Sequence, residues 1–182
     1  MKIFHMKADL KNFQGITIKN KSDAFFDDDF GKSLINNWKS LELAVDTTKY
    51  SNIKKRIRPF SDYPYFGDTP LFSIKAYLAI KDLLENEGEF LKAVLNDVEY
   101  YMYNSFNRFD EIINFGKSDF EGDKKDLYSL SQITKIHINE DLCVNKNLIY
   151  IPKFSQNFVS EKVVEIITKE NLTGFIFTKI WG

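Results

Sequence analysis

Two short stretches, Gly31-Lys32-Ser33 and Gly116-Lys117-Ser118, imitate the end of a phosphate-binding loop. That loop needs a further glycine, in the pattern G-x-x-x-x-G-K-[ST], so that backbone N–H groups curl round the phosphates. The positions in question hold Phe26 and Glu111, and both stretches read as polar loops. Nucleophilic and metal sites need convergent His, Cys, Asp or Glu. The histidines, His5 and His137, stand apart, and the single cysteine, Cys143, has only His137, Glu140 and Asp141 near it in sequence. A Cys143–His137 pair across a turn would still need a third group to orient the base. Carboxylates fall together as Glu87 with Glu89, Asp110 with Glu111, and Asp27-Asp28-Asp29. Acid–base work requires two of them across a cleft with separated pKa values, and among 26 acidic residues most are simply solvated. The residues taken alone indicate no catalytic group, no metal and no cofactor.

Charge and aromatics say more about binding. Thr47 to Arg58 carries Lys49, Lys54, Lys55, Arg56 and Arg58 with almost no counter-charge, whereas Asp82–Glu99 and Asp110–Asp126 lean acidic. Segregation of this kind either steers a charged partner or serves solubility. The Asp27–Asp29 triplet repels itself and suits an exposed turn flanked by phenylalanines. Tyr63, Tyr65 and Phe66 fall in a Pro- and Gly-punctuated loop, and aromatics are common anchors of binding hot spots.

The elements that must position these groups are unevenly marked. Ser73 suits a helix N-cap, and Ala76, Ala79, Ile80, Leu83 and Leu84 follow at the spacing of one apolar helical stripe. Gly88 is expected to close this helix, about 73–87, in a left-handed turn. Leu78 lies off the stripe, which calls for a second element over that side. A second helix, about 160–170, starts at a Ser160 cap and carries Val163, Val164, Ile166 and Ile167. Strands are expected at Lys2–Ala8, Trp38–Val45, Glu89–Val94, Glu99–Ser105, Ile133–Asn139 and Leu148–Ile151. Phe175–Trp181, apolar on both faces, reads as an interior strand. Mixed strands with two helices and no βαβ repeat predict an α+β fold: a single domain, 1–182, with a mixed, largely antiparallel sheet. Residues 1–60 are the less patterned part.

Bulk properties bound the function. A net charge of −1 argues against a basic nucleic-acid-binding field. No run approaches the about 18 apolar residues of a membrane span. His5, Lys7 and Asp9 interrupt any signal-peptide core. One cysteine precludes an internal disulfide and fits a reducing compartment, so the cytoplasm is expected.

Residues 60–182 resemble immunity protein family eleven of bacterial polymorphic toxin systems, long catalogued as a domain of unknown function. Asp62-Tyr63-Pro64 resembles the family's Asp–aromatic–Pro approach, and Pro70-Leu71-Phe72-Ser73 its first helix start. Gly88-Glu89-Phe90-Leu91 is similar to the exit, and Tyr100-Tyr101-Met102-Tyr103-Asn104, with Asp110 and Ser118, to the following strand. Ile149-Tyr150-Ile151-Pro152 and Val159-Ser160-Glu161-Lys162 resemble the later strand and helix start. Leu172-Thr173-Gly174-Phe175-Ile176-Phe177 with Trp181 resembles the closing signature.

The resemblance implies a cytoplasmic antitoxin, not an enzyme, that binds a cognate toxin domain stoichiometrically. The expected toxin-binding residues are Asp27, Asp28 and Asp29, complementing a basic toxin such as a nuclease, with Tyr63, Tyr65 and Phe66. Asp62, Glu89, Asn104 and Asp110 are polar landmarks that either form a buried hydrogen-bond network or line a cleft. The alternative is a small enzyme or ligand-binding domain with a polar cleft around Glu89, Asn104 and Asp110.

Overall fold

The computed structural model describes residues 1–20, 30–47, 58–121 and 129–182. In chain order the strands and helices begin with β1 (Ile3–Ala8), β2 (Ile16–Ile18), β3 (Leu41–Val45) and β4 (Leu71–Ser73). Then come α1 (Ile74–Leu84), the hairpin β5 (Gly88–Leu95) and β6 (Val98–Ser105), and the short β7 (Asp119–Phe120) and β8 (Ile133–Lys135). The chain ends with β9 (Leu148–Ile151), β10 (Gln156–Ser160), α2 (Glu161–Lys169) and β11 (Phe175–Trp181). The fold is α+β with mostly antiparallel pairing.

One sheet runs β11-β1-β10-β9 and is antiparallel throughout. The other runs β2-β3-β5-β6-β4, with a parallel β3/β5 pair. Strand β1 sits between β10 and β11, so the weakly patterned N-terminal part supplies an inner strand. Successive side chains of a strand point to opposite faces. Accordingly, Leu148 and Val159 enter a core with Ala76, Ile80 and Leu84 of α1 and Val163 and Ile167 of α2. Their neighbours Ile149, Ile151 and Phe158 enter a second core with Ile112, Ile113, Ile138 and Cys143. This two-sided cover explains why all of β9 is buried. Phe72 and Tyr103 bring the second sheet onto the helices. Its far face holds Leu41, Leu71, Leu91 and Met102, covered by Phe30, Leu34, Trp38 and Phe66.

Helix α1 starts as its sequence dictates. Ser73 Oγ accepts the Ala76 N–H at 3.2 Å, satisfying a first-turn donor. Its end differs from expectation. Gly88 is not left-handed; it opens β5, where an added Cβ would lie 2.4 Å from the Asn104 carbonyl oxygen and 2.6 Å from Tyr103 Oη. Close strand packing, not a helix cap, is what excludes a side chain there. Leu78 is 57% exposed, so no described element covers it.

Three further expectations are corrected. Ser160 takes the expected N-cap position of α2, but its side chain accepts no first-turn N–H; its hydroxyl donates to Asn147 Oδ1 at 2.9 Å. Phe175–Trp181 is a strand at a sheet edge, not an interior one. The Ile133–Asn139 alternation yields strand only to Lys135, after which Ile138 makes a single bridge to Ile113.

Candidate functional site

The polar landmarks act as clasps on loops. Glu89 and Asn104 face each other across the β5/β6 hairpin, and Asn104 Nδ2 donates to Glu89 Oε1 at 3.0 Å. Together they grip residues 31–35. Gly31 N–H donates to Asn104 Oδ1 at 2.9 Å, and Asn104 Nδ2 reaches the Lys32 carbonyl at 2.7 Å. The Glu89 carboxylate accepts the Leu34 N–H at 2.6 Å and the Ser33 hydroxyl at 2.9 Å. A strand-borne amide–carboxylate pair thus supplies partners to backbone groups of a half-exposed loop that has no sheet partner.

Asp62 does the same elsewhere. Its carboxylate accepts the Ser73 hydroxyl at 2.7 Å and the Thr173 N–H at 2.8 Å, tying the start of α1 to the turn before β11. Asp110 accepts the Lys153 N–H at 2.6 Å. The four landmarks therefore form three separate clasps and not one network, and Asp110 is not hydrogen-bonded to Glu89 or Asn104.

A fourth carboxylate, Glu87, stands out in the sequence only as half of an acidic pair with Glu89. It is buried and accepts Asn107 Nδ2 at 2.8 Å, Asn147 N–H at 2.7 Å and Asn147 Nδ2 at 2.6 Å. It joins the end of α1 to the start of β9.

Phe30, immediately before the loop held by Glu89 and Asn104, lines a cleft of about 340 Å³ between the sheets. Phe30, Phe66, Asp68, Arg108, Tyr150 and Asn157 line it. Arg108 lies over the Tyr150 ring, 4.4 Å from its centroid, and 5.8 Å from that of Phe30. Backbone pairing sets this up: the Phe109 N–H donates to the Tyr150 carbonyl, and the Tyr150 N–H to the Asn107 carbonyl. A second hollow of about 590 Å³ adjoins it, sharing Phe66, Asp68 and Asn157 and adding Lys7, Tyr65 and Gln156.

The expected interface residues are scattered by this arrangement. Asp27, Asp28, Asp29 and most of the basic run lie outside the described residues. Tyr63 is only 5% exposed and stacks on Phe175 at 4.6 Å, so it is a core residue and not a surface anchor. Burial drives its hydroxyl pKa well above the ordinary value. Tyr65 and Phe66 are half-buried at the cleft walls. Cys143 is buried, with burial first and Glu140 second pushing its thiol up to about 11, while His137 faces the Trp181 ring at 5.6 Å. A protonated, enclosed thiol is a poor nucleophile. Among the described residues no three His, Cys, Asp or Glu side chains gather as metal ligands.

Arg108, Tyr150 and Asn157 went unmarked in the sequence as cleft residues. Nothing periodic surrounds Arg108, and its aromatic partner belongs to a distant strand. Scanned against protein-family models the chain finds no match, and no curated protein matches it.

Proposed function

We propose that the chain is a bacterial immunity protein that neutralises a cognate polymorphic toxin domain by stoichiometric binding in the cytoplasm. The ordered series of motifs from Asp62 to Trp181 supports this. The observation that carries it is the use made of the polar landmarks: Asp62, Glu89, Asn104 and Asp110 hold loops in place through hydrogen bonds to backbone and hydroxyl groups. That is how a rigid recognition face is built, because ordering a loop before binding lowers the entropic cost of association. The face in question is the cleft mouth, with Phe30, Phe66 and Arg108. Enzymatic work around Glu89, Asn104 and Asp110 is the weaker alternative, since those acceptors are engaged within the fold and the third stands apart. No helix among the described residues is long and apolar enough to cross a membrane.

The test is affinity capture with the tagged full chain from the bacterium that encodes it, with mass spectrometry of the captured proteins. The expected partner is the C-terminal part of a large secreted protein that arrests growth when expressed alone and is silenced by co-expression of this chain. A null result, with the toxin locus demonstrably expressed, overturns the proposal.

A further inference from the structure

We infer that the cleft at Arg108 is a receptor for a peptide carboxylate. This deepens the binding role above and rests on it for the protein that carries the group.

Three unpartnered groups point to that chemistry. First, no hydrogen bond or ion pair engages the Arg108 guanidinium among the described residues; its contacts are the two rings. Held over Tyr150, the planar fork keeps edge donors available, and that fork matches the two oxygens of a carboxylate. Second, Asn157 is 5% exposed, and its Nδ2 donates to the Asp68 carbonyl at 3.1 Å while its Oδ1 has no partner. A buried acceptor left unmatched costs about 1–3 kcal/mol, so a donor brought to it is favourable. Third, the exposed Asp68 lines the same cleft, and its carboxylate has no ion-pair partner among the described residues.

The cleft therefore offers one cationic fork and two acceptors. A doubly charged phosphate would satisfy Arg108 but bring its charge against Asp68 and supply no N–H to Asn157. A singly charged carboxylate carried beside a peptide N–H gives Arg108 its anion and Asn157 Oδ1 its donor, with less charge set against Asp68 than a phosphate brings. Two sources have this chemistry: an Asp or Glu side chain in a partner's loop, and the C-terminal residue of a partner chain.

The arrangement is fixed in advance. Gly31, held by Asn104, adopts φ +87° directly beside Arg108 Cδ, so the clasp on the loop also fixes the backbone packed against the arginine stem.

The experiment is a titration of the ¹⁵N-labelled full chain, following the Arg108 Nε–H and the Gly31 and Gly67 amides by NMR. The probes are N-acetyl-glutamate N-methylamide for a side-chain source and N-acetyl-glycine for a C-terminal one. N-acetyl-glutamine N-methylamide and inorganic phosphate are the comparisons. Saturable shifts at Arg108 with either carboxylate probe, weakened about tenfold in the neutral amide, support the inference, tenfold being the change a lost charged contact gives. The tighter of the two carboxylate probes identifies the source. Arg108→Lys keeps the charge but loses the fork, and is expected to weaken the carboxylate probe by a similar factor with the rest of the spectrum intact. Equal or tighter binding of phosphate or of the neutral amide overturns the inference, as does an Arg108 signal that no carboxylate moves. Should the variant fail to fold, the probe series on the unaltered chain decides alone. Toxin capture has a separate readout, so failure of one is distinguishable from failure of the other.

Discussion

Arg108 lies against Gly31 so closely that a Cβ on Gly31 would stand 2.6 Å from Arg108 Cδ. Gly31 also holds φ +87°, a conformation that a side chain disfavours. Two separate constraints thus fall on one residue, one from its own backbone and one from its neighbour. Gly31→Ala is expected to lower stability by about 1–2 kcal/mol from the backbone alone, with more from the contact. Arg108→Ala in the same chain should restore only the contact part. Urea denaturation of the two single variants and the double variant measures that coupling, and strict additivity would refute it.

Asn104 gives a second prediction. It is 1% exposed and both donates and accepts, to Gly31, Lys32 and Glu89. Asn104→Ala leaves the Gly31 N–H and the Lys32 carbonyl without this partner and takes one donor from the half-buried Glu89 carboxylate, at about 2–3 kcal/mol. Asn104→Asp should be worse than alanine, because it sets an acceptor against the Glu89 carboxylate and the Lys32 carbonyl. Hydrogen exchange at Gly31 and Leu34 checks the mechanism: both amides should lose protection in either variant.

How much of this was legible beforehand depends on distance along the chain. Helix α1, strand β9 and strand β11 follow from local spacing, and their extents agree with expectation to within a few residues. Strand β10 was missed because Phe158 and Val159 run straight into the cap of α2. Strand β4 was missed because its three residues double as the lead-in to α1. Tyr63 misled through its neighbours, since Pro64 and Gly67 mark a turn while the ring itself drops into the core. The cleft could not be read, because Arg108 meets a ring from β9 and a loop from the first sixty residues.

His5 makes stability depend on pH. Its ring is buried, contacts Phe158 edge-on and hydrogen-bonds Gln156 through Nε2. Burial lowers its pKa from 6.5 to about 4, with Lys7 adding to the effect and the Gln156 bond opposing it. Between those values the unfolded chain holds the extra proton and the folded chain does not. Stability is therefore full above about pH 6.5 and falls as pH drops towards 4, by about 3 kcal/mol at the limit. Urea midpoints at pH 7.5, 6, 5 and 4.5 should trace the fall, roughly over the window set by those pKa values. His5→Gln should flatten it; an equal slope in that variant would assign the effect elsewhere.

Cys143 should be silent. Its buried thiol, pushed up to about 11, is protonated at neutral pH and shielded by the second core. An Ellman-type reagent is expected to leave the native chain unlabelled over minutes and to label one thiol at once in denaturant. Prompt labelling of the native chain would contradict that placement.

Strand β1, at the N-terminal end of the described chain, is flanked in its sheet by β10 and β11, at the C-terminal end. Every element from β2 to β9 must be translated before either flanking strand leaves the ribosome. Until then Ile3 and Met6 have no sheet to enter, and the hairpin β5–β6 with α1 is the part that can settle early. Such long-range closure slows folding and exposes an unpaired strand while it lasts. A sheet built this way closes around β1 only after β10 and β11 have been made, so a nascent chain that stops short of them leaves β1 without neighbours.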